Sequence, residues 1–191
     1  MELEKLAYSF PEEKIQGILA EGPRLRLRRA GERDLPYIMK LEFEPENLQF
    51  IVPFEESFHH KIITEGKASL DIIVEKHDGT PVGYILMNGL LTEAKEAEWT
   101  HFIIGEKGQG YGHEAMKLIK ALTFCELGFH RAWLDCKDYN ARALHLYESE
   151  GMLREGLIRE TIITNGVYEN LVILGMLDRE YQERKRNNLE L

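Results

Sequence analysis

The chain has 191 residues, about one domain at roughly 150 residues per domain, which excludes a large multidomain enzyme. Its 24 Lys and Arg against 33 Asp and Glu give a formal charge of −9, excluding a general coat for nucleic acid phosphates and favouring cationic or small partners. At 43% hydrophobic and 30% charged residues, with no run near the ~18 apolar residues of a membrane span and no secretory leader at Met1-Glu2-Leu3-Glu4-Lys5, the composition predicts a globular cytoplasmic protein without membrane attachment.

Residues 1–22 form an extension of weak helical pattern, closed by Gly22-Pro23, that carries no chemistry but could dock as a helix. Arg24-Leu25-Arg26-Leu27-Arg28 alternates polar with apolar, the period of a half-buried strand. From Arg33, the helical spacing of Leu35, Ile38, Met39 and Glu42 predicts a first helix ending before Pro45. A second runs from Ser57 to about Gly66, with Ser57 as N-cap. Ser69 to Lys76 and Val82 to Gly89 are β-branched apolar runs joined through His77-Asp78-Gly79-Thr80, where Asp-Gly supplies the positive dihedrals of a tight hairpin turn. A strand from Glu98 to Ile104 then enters Gly105-Glu106-Lys107-Gly108-Gln109-Gly110-Tyr111-Gly112, and Ala115, Leu118, Ile119, Leu122 and Cys125 follow at helical spacing. Ala132 to Cys136 reads as a short strand and Ala141 to Glu150 as a helix. A last hairpin, Gly156 to Thr164 and Val167 to Met176, turns at Asn165-Gly166 and offers an edge for a homodimer. The charged tail, 178–191, follows a single mixed α/β domain over residues 23–177. Cys125 and Cys136 are too few for a disulfide framework and lack zinc-ligand spacing, so they read as reduced thiols, with no metal site.

The glycine loop is the most informative segment. Gly108, Gly110 and Gly112 let the backbone approach a ligand closely, and their amides lead into a helix N-terminus, an anion cradle suited to phosphate or pyrophosphate. It lacks the Gly-Lys-Ser/Thr ending of a nucleoside triphosphate loop. A dinucleotide fingerprint would need a further glycine, where His113 to Met116 has none.

The loop gains meaning from a second motif. Lys107-x-x-Gly110-x-Gly112, followed about 28 residues later by Asn140-x-x-Ala143-x-x-Leu146-Tyr147-x-x-x-Gly151, resembles the acyl-coenzyme A motif pair of the GNAT N-acetyltransferase superfamily. The resemblance covers roughly Leu25 to Leu177. It implies the acyl-CoA N-acyltransferase fold, a mixed and mostly antiparallel central sheet flanked by helices, with acetyl-CoA as acetyl donor and no metal. It departs at Lys107, where the superfamily usually has Arg or Gln, which keeps the charge but not a bidentate phosphate grip.

The resemblance also implies roles. Lys107, Gly108, Gln109, Gly110, Tyr111, Gly112 and His113 would hold the coenzyme A pyrophosphate, mainly through backbone amides. The backbone of Phe102, Ile103 and Ile104 would lie along the pantetheine arm and polarise the thioester carbonyl. Asn140 would contact the coenzyme while capping its helix. Tyr147 would be the general acid toward the departing thiolate. Glu98, at the start of the strand before the loop, would be the base or orient the amine. His101 has the better intrinsic pKa, but strict alternation puts it on the face opposite Glu98, so it ranks lower. A base matters most for an amine of pKa about 10.4, whose deprotonation at pH 7 costs about 4.6 kcal/mol, against about 1 kcal/mol for an α-amine.

Two further stretches narrow the branch. Gly151-Met152-Leu153-Arg154-Glu155-Gly156, with Arg159-Glu160 and Asn165-Gly166-Val167-Tyr168, looks like the end of the ribosomal-protein-alanine and spermidine N-acetyltransferase group. Pro53-Phe54-Glu55-Glu56-Ser57-Phe58 resembles an acidic segment that meets the polyamine there, so Glu55 and Glu56, with Glu42 or Glu44, are candidate acceptor contacts. The expected activity is acetylation of a polyamine by direct attack, since neither cysteine suits a covalent route. Acetylation of a protein N-terminus or an amine antibiotic, and a non-catalytic coenzyme A-binding module, are the alternatives.

Overall fold

The computed structural model describes residues 12–191, so the first part of the extension lies outside the described residues. The strands are β1 (Ile18–Glu21), β2 (Leu25–Arg29), β3 (Ser69–Lys76), β4 (Pro81–Asn88), β5 (Glu96–Ile104), β6 (Arg131–Lys137), β7 (Leu153–Thr164) and β8 (Val167–Leu177). The helices are α1 (Leu35–Phe43), α2 (Pro45–Leu48), α3 (Glu56–Glu65), α4 (Tyr111–Ala121), α5 (Ala141–Ser149) and α6 (Asp178–Arg186). One sheet takes the order β1-β2-β3-β4-β5-β6-β8-β7. Every neighbouring pair is antiparallel except β5 with β6.

Both faces of the central strands are covered, which is why β3 and β4 are apolar runs rather than alternating ones. On one face Leu70, Ile72 and Val74 of β3 pack with Ala115, Leu118 and Ile119 of α4. On the other, Ile73, Tyr84 and Ile103 pack with Ile38 and Leu41 of α1 and Ile62 of α3. Tyr181 of α6 is fully buried and stacks on Phe124 at 5.1 Å, so the charged tail closes the first core.

Three local expectations change, and a fourth holds. The described part of the extension, residues 12–22, supplies an edge strand, β1, with Ile15 and Leu19 packed into the first core, while the rest of the expected docking segment lies outside the described residues. The second helix starts one residue early: Glu55 is the N-cap residue, without a side-chain cap bond, and Ser57 is inside. At the first hairpin only Gly79 has a positive φ, +87°, while Asp78 accepts a hydrogen bond from the Thr80 amide at 2.9 Å. Asn165 and Gly166 at the last hairpin both have positive φ, as its two-residue turn requires.

The feature that makes the site lies in β5. Its ladder with β6 covers only Glu96↔Arg131, Ala97↔Ala132 and Glu98↔Trp133, after which no pairing continues. On its other side the register with β4 jumps from Met87↔Trp99 to Leu86↔His101, which makes Thr100 a bulge.

Candidate active site

Between the parting strands the backbone of β5 beyond Glu98 has no ladder partner on the β6 side, and a cavity of about 510 Å³ opens there. Phe102, Ile103 and Ile104 of β5, Asp135, Cys136 and Lys137 of β6, the glycine loop, the start of α5 and the segment after α2 supply its walls.

The loop owes its shape to two left-handed glycines, Gly108 (φ +79°) and Gly110 (φ +75°), the latter preceding the first residue of α4. A Cβ on Gly110 would meet only Arg24 Nη2 at 3.7 Å, so the requirement is conformational rather than steric. Gly110→Ala is expected to destabilise the protein by about 1–2 kcal/mol, read by urea unfolding; no loss would mean that the loop adopts another path. Arg24 braces the loop from outside. Its Nη1 donates to the Gln109 carbonyl at 3.0 Å, its guanidinium lies 5.1 Å from the Tyr111 ring centre, and its Nε pairs with Glu114 of α4 at 2.7 Å. The other Glu114 oxygen accepts the amides of Arg24 and Leu25, tying the start of β2 to the start of α4.

The first-turn amides of α4 have no intrahelical acceptors, and His113, Arg142 and His145 line the same cavity. That donor and cation set fits a pyrophosphate. Lys107 lines the cavity too, but its ammonium is engaged by Glu46 and Asn47, so it bridges to α2. Gln109 contributes its carbonyl to Arg24 and is not among the lining residues. Asn140 is the N-cap of α5, its Oδ1 accepting from the Ala143 amide at 3.2 Å, and it also lines the cavity.

Tyr147, on α5, is 7% exposed and meets the Phe102 ring edge-on at 6.2 Å. Its hydroxyl has no hydrogen-bond partner among the described residues, so it is not a paired core tyrosine. Burial, helped by Cys136 and Asp135, pushes the phenol well above its ordinary value, so it keeps its proton throughout the neutral range. Burial and the neighbouring Asp135 likewise push the Cys136 thiol up to about 12, which holds it as a thiol and unsuits it as a nucleophile.

The Thr100 bulge corrects the facing of β5. Before it, Trp99 packs into the core under α4; after it, Ile103 packs under α1 and α3, while Phe102 and Ile104 pack toward the α4 side. Glu98 and His101 are therefore on the same side, where strict alternation had separated them, and Phe102 is opposite. Glu98 is half-buried but does not line the cavity; burial, with Asp135 adding to it, raises its carboxyl above the usual range, against a hydrogen bond from Thr100. Asp135 opens onto the cavity and is also raised by burial, with His101 pulling the other way.

His101 is 6% exposed and lines the cavity. Its Nδ1 lies 2.6 Å from Glu42 Oε1, which also accepts the Tyr84 hydroxyl at 2.8 Å; the second Glu42 oxygen accepts the Phe54 amide at 3.2 Å. Burial disfavours the Glu42 carboxylate, but the hydrogen bond with His101 and the nearby His59 imidazole, 3.6 Å away, overcome it and hold the group down at about 2. Glu42 is thus a fully buried anion rather than a solvated acceptor contact.

The structure does not bring Glu55 and Glu56 to the cavity. Phe54 turns inward to line it, and the two glutamates that follow start α3 with exposed side chains. Glu44, at the end of α1, contacts Asn47 and is absent from the walls. Sequence reasoning missed Asp135, Arg142 and His145. A lone acid in a short strand, and an arginine and a histidine three residues apart at the start of a helix, were the available signals.

Residues 24–153 match the family model described as an acetyltransferase (GNAT) domain. The chain is 27% identical over 170 residues to the spermidine N(1)-acetyltransferase of Vibrio cholerae, covering 84% of this chain and 97% of that protein. It is 28% identical over 110 residues to the putative ribosomal N-acetyltransferase YdaF of Bacillus subtilis, covering 57% and 60%. Among solved structures, the Vibrio cholerae spermidine N-acetyltransferase in complex with CoA and spermine superposes with a TM-score of 0.76 at 24% identity, covering 83% of this chain and 98% of that one.

Proposed function

The chain belongs to the GNAT acetyltransferase family, and on that premise we propose that it moves the acetyl group of acetyl-CoA directly to a primary amine of a polyamine such as spermidine or spermine. The observation that carries this reading is that a continuous cavity joins the glycine loop, the unpartnered Tyr147 hydroxyl and an acid, Asp135, in the gap where β5 and β6 part. Anion-binding amides, a proton donor and a carboxylate able to bind an ammonium thereby share one cavity.

In this reading the first turn of α4, with His113, Arg142 and His145, holds the pyrophosphate, and the free backbone edge over Phe102 to Ile104 holds the pantetheine arm and polarises the thioester. Tyr147 gives its proton to the departing sulfur. The same dry surroundings that raise the phenol also raise a thiolate, so the two stay matched. Asp135, with Glu98 behind it, attracts the ammonium, while Phe50, Ile51, Val52 and Phe54 cover the methylene spacers of a polyamine. The net charge of −9 steers a polycation inward. Direct transfer fits the cysteines, since Cys136 is held as a thiol and Cys125 is off the cavity. Both are free, as suits the cytoplasm. The edge strand β7, exposing Leu153, Leu157 and Ile158, supports a homodimer.

A second reading, transfer to an α-amine at a protein N-terminus, is favoured by the likeness to a ribosomal acetyltransferase. Thiol release from acetyl-CoA separates the two. Spermidine or spermine is expected to give at least about a tenfold higher kcat/KM than an alanine- or serine-ended peptide, a difference of about 1.4 kcal/mol in transition-state binding. The reverse order would move the enzyme to the protein-modifying branch.

A further inference from the structure

Four ionisable side chains that the transfer reading leaves unused lie under the cavity: Glu42 and His59 at 0% exposure, Asp71 at 1% and His101 at 6%. Apolar side chains of similar volume would fill such a site at less cost. Two of the polar atoms, His59 Nε2 and Asp71 Oδ1, even lack a hydrogen bond. The groups form a line. Asp71 Oδ2 is 3.0 Å from His59 Nδ1, His59 Nε2 is 3.6 Å from Glu42 Oε1, and Glu42 Oε1 is 2.6 Å from His101 Nδ1. Of the four, only His101 lines the cavity.

The chemistry of the line fixes the end group. An ionised carboxylate can only accept, so Glu42 keeps a proton on Nδ1 of His101, and a neutral ring then carries its lone pair on Nε2. Nε2 has no hydrogen-bond partner among the described residues. The ring is held by Glu42 on one edge and by the tilted Phe54 ring, 5.1 Å away between ring centres. Resting on the acetyltransferase reading above, we propose that His101 is the base that takes the proton from the acceptor ammonium, with Glu42, His59 and Asp71 as positioning residues that hold its tautomer and orientation.

One N–H bond of the ammonium breaks and its proton bonds to Nε2 of His101. The freed lone pair forms the C–N bond to the acetyl carbon as the C–S bond breaks. The sulfur takes a proton from Tyr147, which recovers one from the newly acylated nitrogen. His101 then passes its proton to water, so the products are amide, thiol and one released proton. An imidazole suits this step better than a carboxylate, because its basicity lies nearer the working pH. The titratable groups around His101 are Glu42 from α1, Tyr84 from β4, Asp71 from β3, Glu98 from β5 and Asp135 from β6, with His59 from α3 reaching it through Glu42.

The test compares His101→Gln with the wild type across pH, using spermidine as acceptor. At pH 7 the wild-type-to-variant ratio of kcat/KM is expected to be about 100 or more. It should shrink toward about 10 by pH 10, where an amine of pKa near 10.4 arrives partly neutral. A purely structural role would give a ratio independent of pH, and a constant ratio, or one near unity, overturns the proposal. A second measurement needs no variant. In 15N-histidine spectra of the wild-type protein, His101 should be the Nδ1-protonated tautomer and its Nε2 resonance should move when spermidine is added; an Nε2-protonated ring overturns the proposal even if His101→Gln fails to fold. Wild-type protein that moves acetyl to neither spermidine nor a peptide amine would instead overturn the acetyltransferase reading itself.

Discussion

Replacing Tyr147 by phenylalanine is expected to lower kcat for acetyl transfer by about 10²–10⁴-fold while leaving the affinity for coenzyme A within about threefold. The asymmetry follows from where the hydroxyl sits. The ring packs edge-on against Phe102 and is nearly buried, and phenylalanine keeps that packing. The hydroxyl alone is lost, and since it has no partner among the described residues, its removal leaves none of them unpaired. With no partner among the described residues, its contribution lies in what enters the cavity. Burial raises the phenol far enough that it holds its proton at neutral pH, which is the state a general acid needs before a thiolate leaves. The check is steady-state kinetics beside a thermal-shift titration with coenzyme A, whose binding raises the melting temperature by mass action. Equal rates for the two proteins would reassign Tyr147 to packing.

Much of this site can be read from sequence because it is built from local signals. A glycine that must be left-handed, as Gly108 and Gly110 are, announces itself by identity, and so does the Asn165-Gly166 turn. Asn140 as a cap and Tyr147 about two turns further on depend only on helical period. The parts that escaped depend on tertiary geometry. The bulge at Thr100 has no residue signature, yet it moves His101 to the face of Glu98 and Phe102 away from it. Lys107 keeps the charge expected beside a phosphate but is taken up by Glu46 on a short helix that periodicity does not reveal. Glu55 and Glu56 sit in an acidic stretch next to the site, but it is the neighbouring Phe54 that turns inward. Glu42 reads as a candidate acceptor contact until the two histidines that surround it, 17 and 59 residues downstream by position, are brought to it by α3 and β5.

The buried line of charges also predicts how stability depends on pH. Burial pulls the His59 imidazole down, but its hydrogen bond to Asp71 and its pairing with Glu42 overcome that and push it up to about 9. A group raised in the folded state stabilises fully below its unfolded pKa, about 6.5, and that contribution disappears as pH rises through the folded value. On the acid side two effects oppose each other. Glu42, depressed to about 2, contributes stability above its unfolded pKa and loses it as pH falls. Asp71, which burial raises despite His59, works in the other direction, losing its contribution as pH rises. The alkaline limb between pH 6.5 and 9 therefore reports on His59. His59→Gln is expected to be less stable than the wild type by about 3 kcal/mol at pH 6, from a shift of about two units or more at 1.36 kcal/mol each. The two urea-unfolding curves should converge to within about 1 kcal/mol by pH 9–10, because the wild-type imidazole is by then neutral too. A difference that stays constant from pH 6 to pH 10 would mean that His59 is neutral throughout and only packs. One of the groups that favour an ionised Glu42 would then be uncharged, and Glu42 would rest on its bonds with His101, Tyr84 and the Phe54 amide alone.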